Sequence, residues 1–157
     1  MQSTKEIVMK IDTARFGEID VHEERLMTFA NGIPGLEHFK TYFLLPADDK
    51  DESPFYFLQS TEERGLCFFL ADPFSFYPNY EVNLDNGTLD QLELKDPEHS
   101  LVLSILTVQG SLQDATMNLK APLIFNTVAR IGRQMVLKQE YGIKEPLLKQ
   151  VAAQEGE

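Results

Sequence analysis

The chain has 157 residues, 43% hydrophobic and 25% charged, with a formal net charge of −11 and a single cysteine, Cys67. That length suits one ordinary domain around one core, and the composition excludes disorder beyond the ends. The acidic balance argues against direct nucleic-acid binding, which needs a cationic face to displace counterions, and one cysteine excludes an intramolecular disulfide or a thiolate cluster.

Residues 7–11 alternate, with Ile7, Met9 and Ile11 on one side, and predict a first strand. Residues 16–21 predict a second, with Gly17 as a bulge or turn point. A third, over 26–30, ends at the turn signals Asn31-Gly32 and Pro34-Gly35, and 36–39 allow no more than a helical turn. Residues 41–45 predict a strand stopped by Pro46, followed by an acidic loop over 47–53. Residues 55–60 and 66–71 predict a hairpin, because the five residues between them include a glycine. The stretch 72–78 then breaks the pattern with two prolines and three aromatics.

Residues 81–84 predict a short strand, and 85–92 a helix capped by Asp85 or Thr88, with Thr88 and Gln91 at capping-box spacing. Residues 101–108 are almost continuously apolar, which predicts a strand in the middle of a sheet. Strands over 116–120, 123–129 and 133–138 complete the set. Pro146 suits the first turn of a terminal helix over 146–153, unless that tail frays. About ten strands and one or two short helices make a mainly β chain, a small β-barrel-like or sandwich domain. It is expected to span residues 1–148 as one unit, with 149–157 as a helix end or frayed tail.

Charge is unevenly spread. Residues 1–100 carry 20 acidic side chains against 8 basic, whereas 101–157 carry 5 against 6. A basic protein partner would suit such a surface, and so would simple solubility. No apolar run approaches the roughly 20 residues that cross a bilayer, so no membrane contact is expected. The opening residues lack the apolar region and cleavage site of a signal peptide, which predicts a cytoplasmic protein.

Catalytic chemistry finds no candidate. His22, His38 and His99 stand far apart in charged surroundings, and no pair has metal-ligand spacing. Cys67, inside Leu66-Cys67-Phe68-Phe69-Leu70, is expected in the core with its thiol pKa raised. Carboxylate pairs such as Glu23 and Glu24 would point to opposite faces of a strand. No glycine-rich loop opens a strand-to-helix turn. No metal, cofactor or catalytic residue is therefore expected.

Four clusters remain that core packing does not demand. They are Asn31-Gly32-Ile33-Pro34-Gly35-Leu36-Glu37-His38-Phe39, Phe57-Leu58-Gln59-Ser60, Ala71-Asp72-Pro73-Phe74 with Tyr80, and Asn118-Leu119-Lys120-Ala121-Pro122-Leu123. In this order and spacing the chain resembles the FliW family across residues 7–148, with Arg133-Gln134-Met135-Val136-Leu137 also fitting. The resemblance implies a β-barrel-like fold and a non-enzymatic role in flagellum biogenesis. It implies two partners: flagellin, bound before export through its C-terminal region, and the RNA-binding regulator CsrA, whose repression of flagellin translation is relieved. A monomer is expected.

Gly32, Pro34, Gly35 and Pro73 read first as turn formers, and Asp72 as a turn residue bonding nearby amides. Glu37, Gln59, Asp72, Phe74, Tyr80, Asn118, Lys120 and Pro122 are the candidate partner-binding residues. For Asn118, Lys120 and Pro122, edge structure and direct contact stand equal. Flagellin could be held as a helix in a groove or as an added strand. Two rival readings are a small-molecule- or metal-binding β-barrel enzyme and a self-assembling structural subunit.

Overall fold

The computed structural model describes residues 7–48 and 53–148. Its strands are β1 (Val8–Thr13), β2 (Gly17–His22), β3 (Leu26–Thr28), β4 (Thr41–Pro46), β5 (Phe55–Ser60), β6 (Cys67–Ala71), β7 (Ser100–Thr107), β8 (Thr116–Met117), β9 (Leu123–Asn126), β10 (Ile131–Gln134) and β11 (Glu145–Pro146). One α-helix, α1 (Asn86–Gln91), lies between β6 and β7. The described chain is mainly β.

Seven strands close into a barrel in the order β7-β6-β5-β4-β3-β10-β9, with β9 returning to β7. Closure distinguishes this from a sandwich, because each of these seven strands has a partner on both sides. Neighbours are antiparallel except β3 and β10, whose parallel seam is a single pair, Thr28 with Ile131. The Thr28 N–H braces that seam by donating to the Arg130 carbonyl at 3.0 Å.

β7 has three partner strands, more than any other described strand. Along one edge its first half pairs with β9 and its end with β8, while Ser104 and Ile105 pair with β6 on the other edge. The apolar run over 101–108 is thus a central strand, as its sequence predicts. β8 in turn pairs with β11.

Both faces of the barrel wall are covered, so its strands read as apolar on alternate and intervening positions alike. Inside lie Phe29, Tyr42, Leu58, Leu70, Leu103, Leu123 and Phe125, all fully buried. Phe29 meets Tyr42 and Phe125 edge-on, with ring centroids 5.2 and 5.7 Å apart. Outside, Ile124, Leu106 and Met117 pack with Leu92, Leu94 and Tyr80 from the connection between β6 and β7. The β1–β2 hairpin covers a third patch, setting Ile11 and Val21 against Phe43. Each such fully buried side chain contributes about 1.5–3 kcal/mol relative to exposure.

Several sequence expectations are corrected. Residues 81–84 form no strand; they run irregularly into α1 while Val82 and Leu84 pack on the outer core. The predicted strands over 26–30, 116–120 and 123–129 stop early, at Thr28, Met117 and Asn126. The strand predicted over 133–138 instead spans Ile131–Gln134, because its partner β9 is only four residues long. Of the predicted apolar face Ile7, Met9 and Ile11, only Ile11 is buried. Residues 36–39, by contrast, stay within the single turn the sequence allows, closed by Phe39 N–H to the Leu36 carbonyl at 3.1 Å. Pro146 pairs with Thr116 in β11 instead of opening a helix, and residues 149–153 of that predicted helix lie outside the described residues. So do residues 49–52 of the acidic loop. Of the two cap candidates, Asp85 takes the role, accepting from the Thr88 N–H at 2.7 Å, while Thr88 is buried within α1.

Candidate protein-binding interface

The sequence brings a polar, aromatic cluster to the outer end of β8. Thr116 and Met117 keep the ladder, after which the chain must turn toward β9. Asn118 makes that turn by accepting the Ala121 N–H through Oδ1 at 2.9 Å. Lys120 reaches across and donates from Nζ to the Gln139 carbonyl at 2.7 Å. Pro122 is buried, and its carbonyl accepts from Met135 N–H at 3.0 Å. Asn118 and Lys120 stay half-buried, so one side of each still meets solvent.

Tyr80 docks on this turn. Its ring is buried and its hydroxyl donates to the Leu119 carbonyl at 2.7 Å; burial pushes its pKa well above the ordinary tyrosine value. Tyr141 packs edge-on against it at 4.8 Å, and its hydroxyl oxygen accepts the Glu81 N–H at 3.0 Å. Phe74, 41% exposed, leans on Tyr80 from the other side at 5.5 Å. Asp72 holds Phe74 there, accepting the Phe74 N–H at 3.0 Å and the Ser75 hydroxyl at 3.3 Å, with Pro73 buried beneath. Tyr77 donates to the Pro146 carbonyl, and burial followed by the nearby Glu145 charge raises its pKa. A cleft of about 220 Å³ opens between Tyr77, Pro78, Tyr80, Leu119, Tyr141 and Glu145.

Six of the eight sequence candidates therefore converge: Asp72, Phe74, Tyr80, Asn118, Lys120 and Pro122. The other two lie elsewhere. Gln59 is fully buried on β5, and its amide donates to the carbonyls of Ser60 at 3.0 Å and Arg64 at 3.2 Å. It ties down the β5–β6 loop and presents no surface. Glu37 is exposed and accepts the Gly35 N–H at 3.0 Å; that bond, first among the causes, lowers its carboxyl pKa. The turn it steadies is Ile33-Pro34-Gly35-Leu36, closed by Leu36 N–H to the Ile33 carbonyl at 2.7 Å. With Gly35 at φ +87°, it carries the type II signature of proline then glycine. Gly32 is needed twice over, by φ +69° and by the Glu37 Cα that a Cβ would meet at 2.5 Å.

Sequence reasoning missed Tyr141 and Glu145, which belong to no motif and reach the cleft only through tertiary packing. It also misplaced Cys67. That residue is half-exposed in the wall of a groove of about 520 Å³, shared with Phe57, Phe69, Leu106, Val108 and Leu112. Partial burial raises its pKa all the same, with Arg15 acting in the opposite sense. Cys67 leaves the core because it lies on the outward face of β6, in step with Phe69, while Phe68 and Leu70 turn inward.

The chemistry on offer is recognition by shape, aromatic contact and hydrogen bonding. Among the described residues no three of His, Cys, Asp and Glu converge to hold a metal ion, and no helix is long and apolar enough to cross a membrane.

Comparison with known proteins places these features in a family. The model of the FliW protein family matches residues 10–147. A flagellar assembly factor FliW of Desulfitobacterium hafniense (strain Y51) is 44% identical over 148 residues, covering 94% of this chain and 96% of its own. One of Geobacillus thermodenitrificans (strain NG80-2) is 41% identical over 129 residues, covering 82% and 88%. The crystal structure of the flagellar assembly factor FliW superposes with a TM-score of 0.83 at 38% identity, over 91% of this chain and 99% of that one.

Proposed function

The chain belongs to the FliW family and is a flagellar assembly factor, and from that premise we propose that it works as a cytoplasmic, monomeric binder of two proteins. One is flagellin, held before export; the other is CsrA, whose repression of flagellin translation it relieves. While flagellin accumulates it occupies the factor. Once flagellin leaves, the freed factor captures CsrA and synthesis resumes.

The observation that carries this reading is the family match over residues 10–147, which takes in every motif cluster singled out from the sequence. Physical chemistry supports it from two directions. The barrel interior is filled by Phe29, Tyr42, Leu58, Leu103 and Phe125, so the clefts that offer binding lie on the outside. The exposed carboxylates Glu81, Asp85, Asp90, Glu93, Asp96 and Glu98 share one segment with a single Lys95. A negative surface docked beside a basic RNA-binding face lowers the potential that RNA phosphates need, so CsrA can be disabled without its RNA site being covered.

The test is to mix purified flagellin, CsrA and this protein in pairs and together, and to resolve the mixtures by size. A complex with each partner is expected, and flagellin in excess should release CsrA. If neither forms a complex at micromolar protein, the reading is wrong.

A further inference from the structure

We infer that the parted end of the β6–β7 seam is a docking groove for an extended apolar segment of a partner protein, one that carries a carboxylate. The inference rests on the reading above that this chain acts by holding other proteins.

The seam itself points to the site. β6 pairs with β5 from Cys67 onward, but with β7 only at Leu70 and Ala71, opposite Ile105 and Ser104. Continued in register, the ladder would set Phe69 opposite Leu106, Phe68 opposite Thr107 and Cys67 opposite Val108. Those pairs do not form. Instead the same residues, Thr107 aside, line the groove of about 520 Å³. Residues 67–69 thus present a sheet edge with no strand partner on the groove side among the described residues. An unpaired edge asks for backbone hydrogen bonds, which an extended segment supplies and a helix cannot.

The walls give the segment its side-chain chemistry. Val108 and Leu112, each 40% exposed, and Phe69 line the groove with apolar surface. Arg15 is the one charged residue among the described residues lining it, in a chain of net charge −11. Its guanidinium lies 4.8 Å from the Phe57 ring centroid. The β1–β2 tip that carries it is fastened by Ala14 N–H to the Arg64 carbonyl at 2.8 Å and by Phe16 packing edge-on to Phe57 at 5.4 Å. A fixed cation at the mouth of an apolar slot selects a carboxylate, and the surrounding acidic surface rejects segments without that one match.

The test uses the full chain with purified flagellin and purified CsrA, comparing wild type with Arg15→Glu and Val108→Asp, both at exposed positions. Thermal melts first confirm that each variant is folded. Both variants are expected to weaken the same one partner by about tenfold or more, as hot-spot changes do. Amide exchange at residues 67–69 should slow in that complex, which packing by side chains alone would not produce. Wild-type binding that neither variant changes overturns the groove and leaves the two-partner reading standing; a wild type that binds neither protein sinks both. A dimer of the free chain that Val108→Asp dissolves assigns the groove to a second copy. Protection of 67–69 in the free chain that disappears on removing residues 149–157 assigns it to the chain's own tail. Either result overturns the inference.

Discussion

A methyl group added at Gly132 would meet Phe29 Cζ at 2.6 Å, Phe29 Cε1 at 2.8 Å and Phe125 Cδ2 at 3.1 Å. Phe29 is fully buried and held edge-on by Tyr42 and Phe125, so its ring has nowhere to swing. Gly132→Ala is therefore expected to destabilise the protein by about 1–3 kcal/mol, the usual cost of overpacking. Urea unfolding checks it, and an unchanged midpoint would show that the barrel interior yields. Tyr80→Phe probes the cleft by a different route. It strips the buried Leu119 carbonyl of its 2.7 Å donor, for an expected loss of about 1–3 kcal/mol. Residue roles of this kind were only half legible in the sequence. The motifs marked Gln59 and Tyr80 as unusual, but nothing local says that Gln59 serves loop carbonyls or that Tyr80 caps Leu119, since both partners come from tertiary packing.

At the scale of elements, legibility followed locality. The β5–β6 hairpin and α1 announce themselves through turn residues and a cap, interactions made within a few positions. β11 is two residues long and exists only because distant chain meets distant chain, so no periodicity could reveal it, and β8 keeps only two of the five residues its sequence suggests. The end of α1 shows how tertiary demand overrides local preference. Glu93 sits at φ +54°, a left-handed conformation that suits glycine. It terminates the helix there, with Leu94 N–H returning to the Leu89 carbonyl at 2.9 Å. From β9, Asn126 Nδ2 donates to the carbonyls of Leu92 at 2.8 Å and Glu93 at 3.1 Å, locking the geometry. Glu93→Gly relieves the backbone strain and gives back part of the gain through a freer unfolded chain, so a net stabilisation of about 0.5 kcal/mol is expected. Chemical unfolding of the two proteins side by side would measure it; a destabilised variant would mean that the Glu93 side chain makes up for its backbone.

Across the whole molecule the least legible feature was closure, since a barrel and a sandwich share the same strand list and differ here by pairings such as Thr28 with Ile131. Charge, by contrast, was fully legible, and it makes predictions at this scale. Burial pushes the Tyr42 pKa up to about 12 from an ordinary 10.0, and raises Tyr77 and Tyr80 in the same direction. A raised folded-state pKa gives stability that is complete below the unfolded value and is lost as pH climbs through the folded one, so melting temperature should begin to fall above about pH 10. Glu37 and Asp85 are lowered by backbone hydrogen bonds, so their contribution is present above the ordinary carboxylate range and fades as pH drops through their folded values. Melts followed by circular dichroism across pH should show a plateau between these limits. The acidic surface also allows a direct test of how CsrA would be disabled. Glu81, Asp90 and Glu98 are exposed on the segment around α1, and Glu81→Gln, Asp90→Asn and Glu98→Gln remove three negative charges while keeping side-chain shape. If the field of the bound factor repels RNA, this triple variant should still bind CsrA in size-resolved mixtures while RNA binding by CsrA recovers in gel-shift titrations. The recovery should resemble the effect of added salt on the wild-type complex, because screening weakens the same field over roughly a 10 Å length at 0.1 M. A triple variant that binds CsrA and still abolishes RNA binding at every salt concentration would rule out repulsion by these charges and point instead to direct coverage or to a change in the shape of CsrA.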